Sequence, residues 1–370
     1  MDKIKKLFSN LRLRQIINDL KRRPEDAAKD LKLSDKSFKD YLNGKKNIDN
    51  KFLVKALSVW PIQLEELINP YFKKTSISKI MRFSKSEETK RIMKRGNNDY
   101  YEYRDTVMDR NAPFRPEWIR QLCHVKDNKP SNKSLRWNKG HLLHQYTYFI
   151  GKVNFYYIDQ NNNKKVSVMN TGDSMYIAPY IPHTFASRDI DCKGYIIAIT
   201  FSDEISNKLQ NYLINFKADE IKKIIFKNKN KPINLPRVVV TKASYKKNIF
   251  KKNKNLLIKK LADNKITPTA KFREIQVISN NEIKFNEFYH QYLYVLSNQA
   301  TIKIENKIHK LKIGDTIYLR PFVEHVYPVK GTKILNAKVQ SILKKSALEQ
   351  MSHLGKKNFN RLLGENNQWF

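Results

Sequence analysis

Between residues 11 and 69 the apolar positions recur every three or four residues. LRQIINDLKRR, EDAAKDLKL, SDKSFKDYL and KFLVKALSVW each present one apolar stripe, the spacing of short amphipathic helices. Their punctuation agrees. Pro24 opens one helix, Ser34 caps the next, Asn43-Gly44 closes it, and Pro61 opens PIQLEELI. From about residue 100 the period changes. YTYFI, VNFYYI, KVSVM, SMYIA and GYIIAITF are short β-branched and aromatic runs parted by DQNNNKK and NTGD, which predicts antiparallel strands joined by turns. Residues 203–265 read again as helix (KLQNYLINF, EIKKIIF, KKNIFKKNKNLLIKKL). Strands return over 272–342, and a terminal helix is expected from Lys344.

The two strand regions repeat one another. His144-Gln145-Tyr146-Thr147-Tyr148 is followed by Gly172-Asp173, Tyr176, Pro179 and His183. His290-Gln291-Tyr292-Leu293-Tyr294 is followed by Gly314-Asp315, Tyr318, Pro321 and His325. The pattern G-D-x-x-Y-x-x-P-x-x-x-H recurs without a gap, which chance does not produce at so many fixed spacings. Two copies of one β-module resemble a bicupin, a double-stranded β-helix present twice. The helices ahead of it resemble the phage-repressor helix-turn-helix. The expected fold is therefore mixed α and β. A helix-turn-helix-like bundle (1–70) precedes a first cupin (71–202), a basic helical connector (203–268), a second cupin (269–343) and a C-terminal helix or tail (344–370).

Composition narrows the class. Of 370 residues 40% are apolar, enough for a sizeable core, and two cysteines can build neither a disulfide framework nor a thiolate zinc site. No apolar run reaches membrane-spanning length and the start lacks the apolar stretch of a signal peptide, so a cytoplasmic protein without a membrane partner is expected. Lys+Arg 72 against Asp+Glu 35 gives +37. The lysines are spread through every segment, which suits a general attraction for anions. The candidate recognition helix SDKSFKDYLNG sets Lys36 and Lys39 against Asp35 and Asp40. DNA binding is not expected of so balanced a surface.

In a barrel of this kind a His and a second ligand four residues later project inward, and a His from a later hairpin completes one face of an octahedron. The first repeat supplies His141, Gln145 and His183. Two imidazoles and one oxygen donor leave open positions, the geometry of non-haem Fe(II) sites that activate oxygen. Gln145 stands where a carboxylate is expected and adds no charge, so the metal favours a ligand that brings its own anion. His144 points to the opposite face and reads as a packing residue. The second repeat offers Glu287, Gln291 and His325 at corresponding places. Lacking the first His, it reads as a structural partner without metal.

NKGHLLHQY with a His 42 positions beyond His141 resembles the phosphonate-specific non-haem iron cupin oxygenases. That family includes the fosfomycin epoxidase, hydroxyethylphosphonate dioxygenase and methylphosphonate synthase. Its members place a carboxylate either four residues after the first His, here Gln145, or six before the second, here Ile177. Glutamine with an aliphatic residue is the methylphosphonate synthase pattern within the family. The resemblance further implies that Arg95 and Tyr103, from RGNNDYYEY, and Asn138 hold the phosphonate, with Tyr100 and Tyr101 as pocket wall or core. It also implies a lysine from the helical domain, Lys21 with Arg22 as the alternate, that reaches a site in its own or a neighbouring subunit and acts on substrate together with Tyr103.

The activity so implied is cleavage of the C–C bond of 2-hydroxyethylphosphonate by O2 at Fe(II). Methylphosphonate and CO2 or bicarbonate result, without 2-oxoglutarate or an external reductant, in a homo-oligomer. Two other outcomes stay open: the dioxygenase reaction, ending in hydroxymethylphosphonate and formate, and a helix-turn-helix regulator whose cupin senses a ligand.

Overall fold

The computed structural model of the chain describes residues 8, 10–68, 76–201, 219–220, 223, 237–245, 249–263, 265–267, 269–280, 284–340 and 352–353. It divides into two units, Met1–Ser76 with Leu343–Phe370, and Ile77–Ile342. The first is helical: Asn10–Asp19, Pro24–Asp30, Asp35–Leu42, Asn50–Val59 and Leu64–Leu67. Its starts carry the expected caps. Ser34 Oγ accepts from Ser37 N at 3.3 Å and Asp49 Oδ1 from Phe52 N at 2.8 Å. The last helix begins at Leu64 and not at Pro61, because Gln63 and Glu66 form a reciprocal capping box there. Leu13, Ile17, Phe38, Phe52 and Trp60 close the core of this unit.

The second unit is built from antiparallel sheets. One seven-stranded sheet runs, edge to edge, Val238–Thr241, Ser174–Ile177, His144–Ile150, Tyr195–Phe201, Phe114–Gln121, Asn98–Asp105 and Arg91–Arg95. The other runs Ser78–Met81, Thr316–Leu319, Tyr289–Val295, Lys333–Gln340, Ala270–Val277, Leu256–Ala262 and Lys251–Asn253. Position by position these are the same sheet twice. A smaller sheet accompanies each, with His183–Ser187 in one and His325–Val326 in the other.

Period-two alternation gives every central strand two buried faces. In His144–Ile150 the odd positions, Gln145, Thr147 and Phe149, point into the first barrel, where Phe149 packs with Phe155, Ile177 and Phe185. The even positions point the other way. Tyr146, Tyr148 and Tyr176 meet Phe272, Tyr292, Tyr294 and Tyr318 of the second sheet, and the Tyr146 and Phe272 rings stack with centroids 3.8 Å apart. His144 belongs to that face, stacked on Tyr176 and Phe201 and bonded through Nδ1 to the Tyr176 hydroxyl at 2.8 Å.

The structure departs from the expected segmentation in two ways. Within KKNIFKKNKNLLIKKL the described residues 251–261 form a hairpin and not a helix. Lys251–Asn253 pairs with Leu256–Ala262 around Lys254, whose φ is +53, and Val238–Thr241 is also a strand. The short run LLI between lysines fits either period, and tertiary pairing with Ala270–Val277 selects the strand. The remainder of 203–236 and the terminal helix from Lys344 fall almost wholly outside the described residues.

The second departure is a reciprocal exchange of edge strands. Ser78–Met81, preceding the first repeat, pairs with Thr316–Leu319 of the second repeat, while Val238–Thr241, following the first repeat's last strand, pairs with Ser174–Ile177. The repeated Gly-Asp explains it. Gly172 and Gly314 take φ of +88 and +86 in the turns. Asp173 then accepts from Ala243 N at 2.8 Å and Lys242 Nζ at 3.0 Å. Asp315 accepts from Phe83 N at 2.9 Å and Arg82 Nη1 at 2.7 Å. Both aspartates are about 4% exposed or less. Each motif clamps the arm that supplies its barrel's edge.

Asp315→Ala leaves the Phe83 and Lys312 N–H groups without their acceptor and the Arg82 guanidinium with the Lys310 carbonyl alone. We expect a loss of about 2–4 kcal/mol in urea unfolding. Amide hydrogen exchange should show the Ser78–Met81 edge losing protection first.

Candidate metal centre

His141 lies in the loop ahead of the His144–Ile150 strand, Gln145 is the second residue of that strand, and His183 begins His183–Ser187. Gly140 lets the loops meet. Its φ is +81, and a Cβ there would sit 2.6 Å from the Tyr180 carbonyl carbon. Tyr180, itself at φ +59, donates its N–H to the His141 carbonyl at 2.8 Å. Asn138 completes the knot. Its Oδ1 accepts from Gly140 N at 3.0 Å and His183 N at 2.8 Å, which turns its amide nitrogen toward His183 Nε2 at 3.1 Å.

Each candidate ligand is oriented by a second bond. His141 Nδ1 donates to the Leu143 carbonyl at 2.8 Å, and His183 Nδ1 to the Ile181 carbonyl at 2.8 Å, which turns each Nε2 inward, that of His183 accepting from Asn138 Nδ2. Gln145 Nε2 donates to Thr147 Oγ1 at 2.8 Å, which aims Oε1 at His141 Nε2, 2.9 Å away. Two lone-pair acceptors thus face one another, an arrangement that a shared cation relieves. The His141 and His183 rings are 5.3 Å apart and nearly perpendicular. Burial pushes His183 down to about 4, so its imidazole is neutral, as a metal ligand must be.

No carboxylate joins them. Among the described residues no group of three His, Cys, Asp or Glu side chains is placed to hold a metal. Ile177 is fully buried and lies directly opposite Gln145 in the strand pair. The donor set of two imidazoles and one amide oxygen fits a divalent first-row metal and adds no charge to it.

Arg95 ends the Arg91–Arg95 strand and lies over the rings of Tyr100 and Tyr101, at 5.1 and 4.9 Å. These tyrosines are core residues that brace the His183 strand. Both hydroxyls reach Thr184 Oγ1, at 2.9 and 3.1 Å, and Phe185 N donates to Tyr101 Oη at 3.0 Å. Arg95 donates to the Arg136 carbonyl, and its charge acts on Tyr101, Tyr103 and His183 alike. Burial holds the Tyr103 hydroxyl well above the ordinary range, so it keeps its proton and can donate to an oxyanion. Arg95, Tyr103, Asn138, His141, Gln145 and His183 thus share one neighbourhood. Thr147, Thr184 and Gly140 were missed by sequence reasoning, and only the glycine beside His141 carried a signal. Lys21 and Arg22 belong to the helical unit. Lys21 is exposed at φ +56, and Arg22 pairs with Asp30 at 3.0 Å.

In the second repeat the corresponding place is built differently. The Phe322 N–H donates to the Glu287 carbonyl at 2.9 Å, as Tyr180 does to His141. Glu287 is bonded to the Lys338 ammonium, and Gln291 Oε1 accepts from Asn336 Nδ2 at 3.1 Å.

No family model matches the sequence. The chain is 32% identical over 429 aligned positions to methylphosphonate synthase of Nitrosopumilus maritimus (strain SCM1), across 96% of this chain and 94% of that one. The chain belongs to the methylphosphonate synthase family. That family membership makes it an enzyme, a non-haem iron oxygenase of the phosphonate group. The (S)-2-hydroxypropylphosphonic acid epoxidase of Streptomyces wedmorensis is 26% identical over 108 residues, 29% of this chain and 52% of the relative. Among solved structures, Streptomyces albus HEPD with 2-hydroxyethylphosphonate and Fe(II) bound superposes with a TM-score of 0.87, at 25% identity over the whole of both chains. The structure of a hydroxyethylphosphonate dioxygenase variant gives 0.72 at 14% identity over 96% of this chain and all of that one, a likeness of fold alone.

Thr147→Val keeps shape and removes only the hydroxyl that orients the Gln145 amide. Metal affinity should fall about 10-fold, the lower end of such outer contacts. Titration with Fe(II) or Co(II) reads the affinity, and the thermal midpoint should stay within a few degrees.

Proposed function

We propose that His141, Gln145 and His183 hold Fe(II) and that the enzyme cleaves the C–C bond of 2-hydroxyethylphosphonate with O2, releasing methylphosphonate and CO2 or bicarbonate. The supporting observation is the pair Gln145 and Ile177, a neutral amide and an aliphatic side chain facing each other at the two positions where the family pattern places a carboxylate. Family membership supports the phosphonate substrate class. Bound iron supplies one-electron activation of O2. One molecule of the substrate and one of O2 contain the atoms of methylphosphonate, CO2 and water, so neither 2-oxoglutarate nor an external reductant enters the balance.

The residues of this chain select and hold the substrate. Arg95 presents a guanidinium fork to the phosphonate, each charge-assisted bond contributing about 1.5–3 kcal/mol. Asn138 and the protonated Tyr103 add neutral donors, and the substrate brings the negative charge that Gln145 withholds. Lys21 is our assignment for the family's lysine from the helical unit, acting on substrate with Tyr103. In this reading the strand repeats are two cupins, and the helices are a helix-turn-helix-like unit that serves catalysis in a homo-oligomer and binds no DNA.

Phosphorus NMR of an anaerobically iron-loaded sample given 2-hydroxyethylphosphonate and air should show methylphosphonate as the main product. Hydroxymethylphosphonate in its place would assign the dioxygenase reaction. Arg95→Ala should keep its iron and lose about 2–4 kcal/mol of substrate binding. Unaltered substrate affinity would remove Arg95 from the phosphonate site. Gln145→Glu should bind iron at least as tightly and shift product from methylphosphonate toward hydroxymethylphosphonate. A product ratio equal to the parent's would make the neutral ligand incidental.

A further inference from the structure

The interior of the second barrel holds a cluster of polar groups that the reaction does not use. Four of its buried atoms have no hydrogen-bond partner: Arg273 Nη2, Glu287 Oε2, His325 Nε2 and Tyr327 Oη. His325 and Tyr327 are 0% and 2% exposed. A buried polar atom without a partner is costly, and these four lie in one barrel.

They share one neighbourhood. Arg273 Nη2 stands 3.6 Å from Glu287 Oε2, too far for a hydrogen bond. The Phe285 ring stacks on His325 at 5.3 Å, touches Tyr327 at 5.6 Å and lies under the Arg273 guanidinium at 5.9 Å, while His325 and Tyr327 are 5.6 Å apart. The other polar atoms here are committed. Arg273 Nε donates to Asn336 Oδ1 at 2.7 Å, Glu287 Oε1 accepts from Lys338, and His325 Nδ1 donates to the Val323 carbonyl at 3.2 Å.

Two donors, Arg273 Nη2–H and Tyr327 O–H, and two acceptors, Glu287 Oε2 and His325 Nε2, therefore remain. Lys338 and Arg273 against Glu287 leave one positive charge. A halide would meet the donors and not the acceptors. A divalent metal would add like charge beside an ammonium and a guanidinium. Water would satisfy the bonds and leave the charge. A monoanion that carries its own hydroxyl hydrogen cancels the charge, accepts from both donors and donates to one of the two acceptors. We propose that the second barrel is a binding site for a small hydroxyl-bearing oxyanion of the bicarbonate class, held by Arg273, Tyr327, Glu287 and His325 beside Lys338. It rests on the second repeat alone and not on the reaction assigned to the first.

The test is calorimetric titration of the full-length, metal-free chain with sodium bicarbonate at constant pH and ionic strength, together with a crystal structure from a bicarbonate soak. We expect saturable binding that weakens at least fivefold in Tyr327→Phe, which removes one hydroxyl and no charge, and also in Arg273→Lys. Arg95→Ala should bind as the parent does, which separates this site from the phosphonate pocket. Formate, which lacks the hydroxyl hydrogen, should bind more weakly than bicarbonate. The proposal is overturned by absence of saturable binding, by loss in Arg95→Ala with retention in Tyr327→Phe, or by a crystal structure showing only water or a metal ion among these four side chains.

Discussion

The central strands of the two seven-stranded sheets are buried on both faces, and every later feature depends on that constraint. A strand alternates its side chains across the sheet, so a doubly covered strand must carry two different interiors in one run of residues. HQYTYFI does this. Its odd positions give the first barrel an amide, a hydroxyl and a phenyl ring, while its even positions join two barrels through tyrosines. A shift of one residue would place Gln145 among the inter-barrel aromatics and aim Tyr146 at the metal centre. The core that unites the two sheets therefore also sets the register of the ligand.

The repeated Gly-Asp turns add a second level of order. Each aspartate binds a backbone N–H and a basic side chain from an arm that lies outside its own repeat. The repeats are thereby tied to each other by edge strands as well as by the tyrosine face. Ser174–Ile177, which carries Ile177 beside the ligand, receives such an arm along its outer edge. The knot of Asn138, Gly140 and Tyr180 then fixes the loops that carry the two histidines. Tyr180, a non-glycine residue in the left-handed region, packs on Gly140 beside His141, where a displaced backbone would misplace a candidate ligand.

Charge divides the two barrels. In the first, the candidate ligands include no carboxylate and the guanidinium of Arg95 lies close by. In the second, Lys338 and Arg273 flank Glu287, the residue that corresponds in place to His141 of the first. One repeated arrangement thus carries two electrostatic solutions: candidate ligands without a carboxylate, and organic cations with one. The overall charge of +37 attracts anions to the whole surface and selects between none of them.

Much of this was legible along the chain. Helical spacing and caps marked the first unit, the gapless repeat announced two like β-modules, and spacing singled out His141, Gln145 and His183, while Ile177 came from the family resemblance. The hairpin at Lys251–Ala262 and the exchange of edge strands were not legible, because a short apolar run among lysines fits two periods and only the neighbouring strand chooses between them. The orienting roles of Thr147, Thr184 and Asn138, and the unpartnered atoms around His325, were equally hidden. Each depends on contacts between segments far apart in sequence, and those exist only once two sheets close around a common interior.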